Sequence, residues 1–153
     1  MSVSDRASKP VRAGLVVLAV PQVVTGAWAL AAPRHWFDTF PGFGPPLVAA
    51  EPPFNAHLAA DAGAGFLATG AALAIAAVWA GRQAVVVAVA TYLVFATAHL
   101  AYHAHAPAPG LTPAQNAANV TLLAAGVALA LLLLWGSTRS SARTRPRTTE
   151  DVA

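Results

Sequence analysis

Residues 55–103 read NAHLAADAGAGFLATGAALAIAAVWAGRQAVVVAVATYLVFATAHLAYH. Two apolar runs, about Asn55 to Ala80 and about Gln83 to His103, are parted only by Gly81 and Arg82. Each run reaches the roughly 20 residues that an α-helix, rising about 1.5 Å per residue, needs to cross about 30 Å of hydrocarbon. So short a turn sends the second run back antiparallel to the first, and the stretch predicts two neighbouring membrane-spanning helices. The first is rich in small residues, and Gly63, Gly65 and Gly70 suit close approach of another helix. The second is rich in Val.

The flanking sequence supplies two more spans. Ala13 to Ala32 is apolar except for Gln22 and Thr25, with Pro21 predicted to kink it. Arg12, the apolar run and Ala27-Trp28-Ala29 also imitate a cleaved signal peptide, but the run continues past the usual apolar length of one, which favours a retained helix. Thr112 and Pro113 have the character of the cap and first residue of a fourth span, which ends near Trp135 and Gly136. The fold expected is all-α, a four-transmembrane-helix bundle over 13–136. It is preceded by a polar basic segment, 1–12, and followed by a basic tail, 137–153, without apolar period and expected to be disordered.

Composition agrees with a membrane protein. Hydrophobic residues make up 57% of the 153 and charged residues 10%, against roughly 25% charged in average soluble domains. Mean hydropathy is +0.58. The absence of cysteine excludes disulfides, thiolate metal sites and a cysteine nucleophile, so any metal ion must use N and O ligands. The isoelectric point near 10.2 does not point to nucleic acid, because the basic residues lie mostly at the termini and no nucleic-acid module is visible. The lipid bilayer is the expected partner, with a homo-oligomer or a membrane-protein partner left open.

Arg6, Lys9 and Arg12 precede the first span, Arg82 lies between the second and third, and Arg139, Arg143, Arg145 and Arg147 follow the fourth. Eight of the nine basic residues therefore fall on one side, which the positive-inside rule makes cytoplasmic, with both termini, in a multi-pass cell-membrane protein. Only Arg34 falls on the other side, in a loop where Asp38 and Glu51 are its expected partners. That loop, residues 33–54, holds six prolines, two glycines and five aromatics. Such a segment suits an ordered interfacial lid, with Phe40, Phe43 or Phe54 resting on helix side chains above His57. Trp28, Trp36, Trp79 and Trp135 fall near span ends, as in an aromatic belt.

This topology gathers the polar residues at the outer end. His57 and Asp61, one turn apart, descend into the second span, while His103 and His99, also one turn apart, descend into the third. Asp61 then matches His99 in depth, and His57 matches His103. An ionisable residue within a span costs roughly 2.5 to 3.5 kcal/mol at the helix centre and usually faces the bundle and pairs. One reading is a hydrogen-bonded Asp61–His99 pair that fixes helix register in an accessory or structural protein. The other gives His57, Asp61, His99 and His103 to a metal ion as a four-ligand N/O shell, or to proton relay or a small polar headgroup, with a haem held by His57 or His99 as a further alternative. Asn55, Gln115 and Asn119, at the same end, would line a pocket. No hydrolase elbow or phosphate loop is present.

Phe40-Pro41-Gly42-Phe43-Gly44, then Pro52-Pro53-Phe54-Asn55-Ala56-His57-Leu58 with Asp61 and Gly63, then His99 with His103, resemble an uncharacterised bacterial family of four-span integral membrane proteins. That family is distantly similar to the DoxX-like group. The resemblance covers about residues 14 to 135 and departs at Phe54, where Tyr is usual, and at Ala56, where Glu is usual. It implies the four-span fold and no known reaction; the DoxX-like group is linked to quinone-associated redox work, which reaches this sequence by analogy alone.

Overall fold

The computed structural model describes residues 7–142. Its helices are α1 (Lys9–Ala31), α2 (Pro33–Thr39), α3 (Ala56–Trp79), α4 (Arg82–His105) and α5 (Pro113–Ala142). Four of them, α1, α3, α4 and α5, are long and apolar enough to cross a membrane. The protein is thus an all-helical, multi-pass membrane protein.

Each long helix begins and ends for a local reason. Asn55 caps α3 by accepting a hydrogen bond from the Leu58 backbone N–H, 3.1 Å. Thr112 and Gln115 form a reciprocal capping box at the start of α5: Gln115 Oε1 accepts from the Thr112 N–H at 2.9 Å, and Thr112 Oγ1 accepts from the Gln115 N–H at 3.3 Å. Ala80, with φ of 54°, takes the left-handed position that closes α3, and Gly81 opens α4. The chain stays helical through Pro21, as membrane helices can when neighbouring groups re-satisfy the freed backbone.

Three boundaries differ from the sequence reading, the first being the start of α1 at Lys9, four residues ahead of Ala13. The loop 33–54 contains α2, because Pro33 occupies the first helical turn, where its missing N–H costs nothing. At the other end α5 runs on to Ala142, into the stretch read as tail. The remainder of that tail, 143–153, and residues 1–6 lie outside the described residues.

The helices close into a ring in which α1 packs most extensively on α3 and α4 on α5, with α3 meeting α4 and α1 meeting α5. Close packing of α1 on α3 depends on glycine. A Cβ on Gly26 would meet the Gly63 carbonyl oxygen at 2.7 Å, and one on Gly70 would meet the Val23 backbone nitrogen at 2.8 Å. Helices that share no water-driven attraction in lipid gain their contact energy from such close backbone approach.

One end of the bundle is filled by apolar packing alone, with Leu15, Leu18, Leu73, Val85, Val89, Ala130 and Leu133 at its core. The N-terminus of α1 meets the α3–α4 turn there, where the Ala7 N–H donates to the Ala80 carbonyl at 2.6 Å and Arg12 Nε donates to the Ala77 carbonyl at 2.8 Å. Val11 lies beside Gly136 at the same end. Outward-facing Val16, Val17, Val20, Val24, Val78, Val94, Leu122 and Leu132 are exposed in the isolated chain, as residues against lipid tails would be.

Candidate functional site

The other end of the bundle carries the polar residues and is roofed by the loop. A buried cluster of Ala29, Trp36 and Ala59 gathers Phe37, Phe40, Val48, Phe54 and Phe66 around it. Phe40 packs on Trp28 and Trp36, and Phe54 meets Phe37 edge-on at 5.2 Å between centroids. The ordered lid expected from the prolines and aromatics is therefore present. Phe43, however, is 79% exposed, and the lid lies above His99 and His103 rather than above His57.

The two loops at this end lock together. The Gly110 N–H donates to the Ala50 carbonyl at 3.1 Å, and a Cβ on Gly110 would meet Ala50 Cα at 2.8 Å, so only glycine fits there. Asn116 holds the second loop through its side chain: Oδ1 accepts from the Ala108 N–H at 2.9 Å, and Nδ2 donates to the Ala108 and Leu111 carbonyls.

Beneath the lid lies a cavity of about 370 Å³, within the roughly 300 to 1,000 Å³ usual for small-molecule sites. Its walls are largely aromatic, formed by Trp36, Phe37, Phe40 and Phe66, with Leu47, Val48 and Leu58. The polar residues on it are Glu51 from the lid, His99, Tyr102 and His103 from α4, Asn55 from the cap of α3, Thr25 from α1 and Asn119 from α5. Of the three expected pocket residues, Asn55 and Asn119 line the cavity, whereas Gln115 is engaged in its capping box. Trp36, read as a belt residue, is a wall of the cavity instead.

The four residues proposed as metal ligands divide into two pairs. His57 Nε2 and Asp61 Oδ2 are 3.3 Å apart, but their side chains are 82% and 62% exposed. His99 and His103 stand edge to face, 4.8 Å between centroids, and His99 stacks on Phe95. The depth-matched partnership of Asp61 with His99 is not formed. Among the described residues no group of three or more His, Asp or Glu gathers closely enough to hold a metal ion.

The physical reason is helical phase. Ala59 and Gly63 are buried, with Gly63 held against α1, and Asp61 lies two residues from each, about 200° around the helix. The glycine contact that binds α1 to α3 thus turns Asp61 away from the cavity.

Glu51 is the residue that sequence reasoning misplaced. The sequence reading makes it a partner of Arg34, but Arg34 bonds Asp38, Nε to Oδ2 at 2.7 Å, and lies over the Phe54 ring. Glu51 instead accepts a hydrogen bond from the Tyr102 hydroxyl at 2.7 Å and stands 3.4 Å from His103 Nδ1, close enough for an ion pair when the imidazole is protonated. The only sequence signal was a lone carboxylate between apolar residues and a Pro-Pro pair, which says nothing of what it will face.

Four buried side-chain polar atoms among the described residues make no hydrogen bond: Gln22 Oε1, Trp36 Nε1, Glu51 Oε1 and His103 Nδ1. Three of them belong to residues lining this one cavity. Glu51 Oε1 and His103 Nδ1 face each other at 3.4 Å, which leaves the Trp36 N–H as the group on this lining without a polar partner, an exception to the rule that buried polar groups are bonded.

Comparison with family models, curated proteins and solved structures finds no match.

Proposed function

We propose that this chain is an integral membrane binding protein whose lidded cavity takes a small, flat, hydrogen-bonding ring of the quinone class. The observation that carries the reading is an aromatic-walled cavity whose lining includes Trp36, with an indole N–H that has no partner, beside the Glu51–His103 pair, 3.4 Å apart. An aromatic ring fits such walls by offset and edge-on contacts. A carbonyl oxygen on that ring would take the indole N–H, and the hydroxyl of the reduced form would donate to the carboxylate. The resemblance to DoxX-like proteins supports the same class. A metal centre has less support, because His57 and Asp61 form a pair of their own outside the cavity.

Titration of the full chain in nanodiscs with a short-chain benzoquinone tests the proposal. Saturable quenching of tryptophan emission is the expected result, with the saturable part lost in Trp36→Phe. A saturated alcohol of equal size should give none. Quenching that rises without saturation and is indifferent to Trp36→Phe would refute binding in this cavity. Asp61→Asn serves as the internal control: with Asp61 turned outward, quinone affinity should change by no more than about twofold.

Orientation is part of the proposal. The distribution of basic residues supports a cytoplasmic location for both termini and the 81–82 turn, with the lid on the outer side. Cytoplasmic reporters fused to either terminus should be active, and a tag inserted at Gly44, where a side chain would meet nothing within 4 Å, should be reached by impermeant reagents. An outward C-terminus would reverse the assignment.

A further inference from the structure

A second recess lies at the opposite end of the molecule, outside the ring of helices. It is an open groove of about 570 Å³ along α1 and α3, walled by Val16, Val20, Val24 and Val78, with Lys9 and Arg12 at its mouth. We propose that this groove binds one anionic phospholipid, its phosphate held by Lys9 and Arg12 and one acyl chain lying along the valines.

The placement of charge and apolar surface selects that occupant. Arg12 is fixed through Nε to the Ala77 carbonyl at 2.8 Å, and this leaves its two terminal nitrogens for a phosphate, to which a guanidinium is geometrically suited. Lys9 stands one turn away, at the start of a helix whose capping residue Ser8 makes no side-chain hydrogen bond to it. The partial positive charge of a helix N-terminus therefore adds to two side-chain cations. From Arg12 to Val24 the groove follows twelve residues of helix, about 18 Å, close to the roughly 15 Å that one leaflet contributes to the hydrocarbon core. Zwitterionic lipid satisfies the apolar wall equally but brings no net negative charge to the cations. A free phosphate satisfies the cations but leaves the valines empty.

The test uses the full chain purified in a mild detergent and followed by native mass spectrometry and thermal melting, with phosphatidylglycerol, phosphatidylcholine or glycerol 3-phosphate added. One phosphatidylglycerol per chain should be retained and should raise Tm, while phosphatidylcholine is lost at the same activation energy and glycerol 3-phosphate leaves Tm unchanged. Lys9→Glu, which suits a helix N-terminus, should weaken phosphatidylglycerol retention about tenfold. Val20→Trp, which fills the groove from its exposed side, should weaken retention without altering the charge. Equal retention of both lipids, or wild-type retention in both variants, would overturn the site. A rise in Tm with glycerol 3-phosphate alone would show an anion site without a lipid groove and would overturn it equally.

Discussion

Gly26→Val is expected to prevent the bundle from assembling. The added atoms would be driven into the Leu67 backbone and the Gly63 carbonyl, and neither can yield as a flexible side chain would. Overpacking of a well-packed interior costs typically about 1 to 3 kcal/mol, and a clash of backbone with backbone belongs at or above the upper end of that range. Since α1 packs more extensively on α3 than on any other helix, separating them removes the largest contact in the protein. The variant should insert but lose its cooperative melt in detergent. Gly65→Ala is the matched control, because a Cβ there meets nothing within 4 Å, and replacing a helical glycine gains about 0.8 to 1 kcal/mol of propensity. Its melting temperature should stay level or rise. Equal melts for Gly26→Val and wild type would show that the α1–α3 contact is not what holds the bundle closed.

Glu51→Gln is expected to separate fastening of the lid from the quinol binding proposed for its carboxylate. Glutamine keeps the shape and an oxygen for the Tyr102 hydroxyl, so the lid should stay fastened and Tm should move by less than about 3 °C, the shift that 1 kcal/mol produces in a chain of this size. The charge that faces His103 is removed. A hydrogen bond to a charged group contributes roughly 1.5 to 3 kcal/mol, so affinity for the reduced quinol should fall about tenfold or more, with a smaller effect on the oxidised quinone, which has no hydroxyl to donate. Tyr102→Phe should behave in the opposite way, lowering stability by about 1 kcal/mol while retaining most of the quinol affinity. If Glu51→Gln leaves both affinities unchanged and Tyr102→Phe alone has an effect, the carboxylate serves only to hold the lid.

The number of spans, their limits within a few residues and the gathering of polar groups at one end were all legible in the amino-acid order. Each depends on quantities local to a stretch of chain: about 20 apolar residues in a row, a Thr-Pro helix start, a Gly-Arg turn, a proline-rich break. Depth in a bundle of antiparallel helices also follows from counting along the chain, which is why His57, Asp61, His99 and His103 were placed together at one end. Rotation about each helix axis does not follow from counting. Only the packed structure decided that Gly63 turns toward α1, and through the fixed 100° step per residue this carried Asp61 to the outside, while the separate packing of α4 left His99 and His103 facing the cavity. The partner of those histidines was settled in the same way. Glu51 lies in a loop whose course is set by contacts with Trp36, Ala59 and the 106–112 segment, elements distant in sequence, and no local property of Glu51 distinguished Tyr102 and His103 from the nearer Arg34. A hydrophobic pattern specifies how deep a side chain lies because the bilayer sorts residues by polarity, whereas which neighbour it touches is chosen by the shape of close-packed surfaces that only the assembled helices possess.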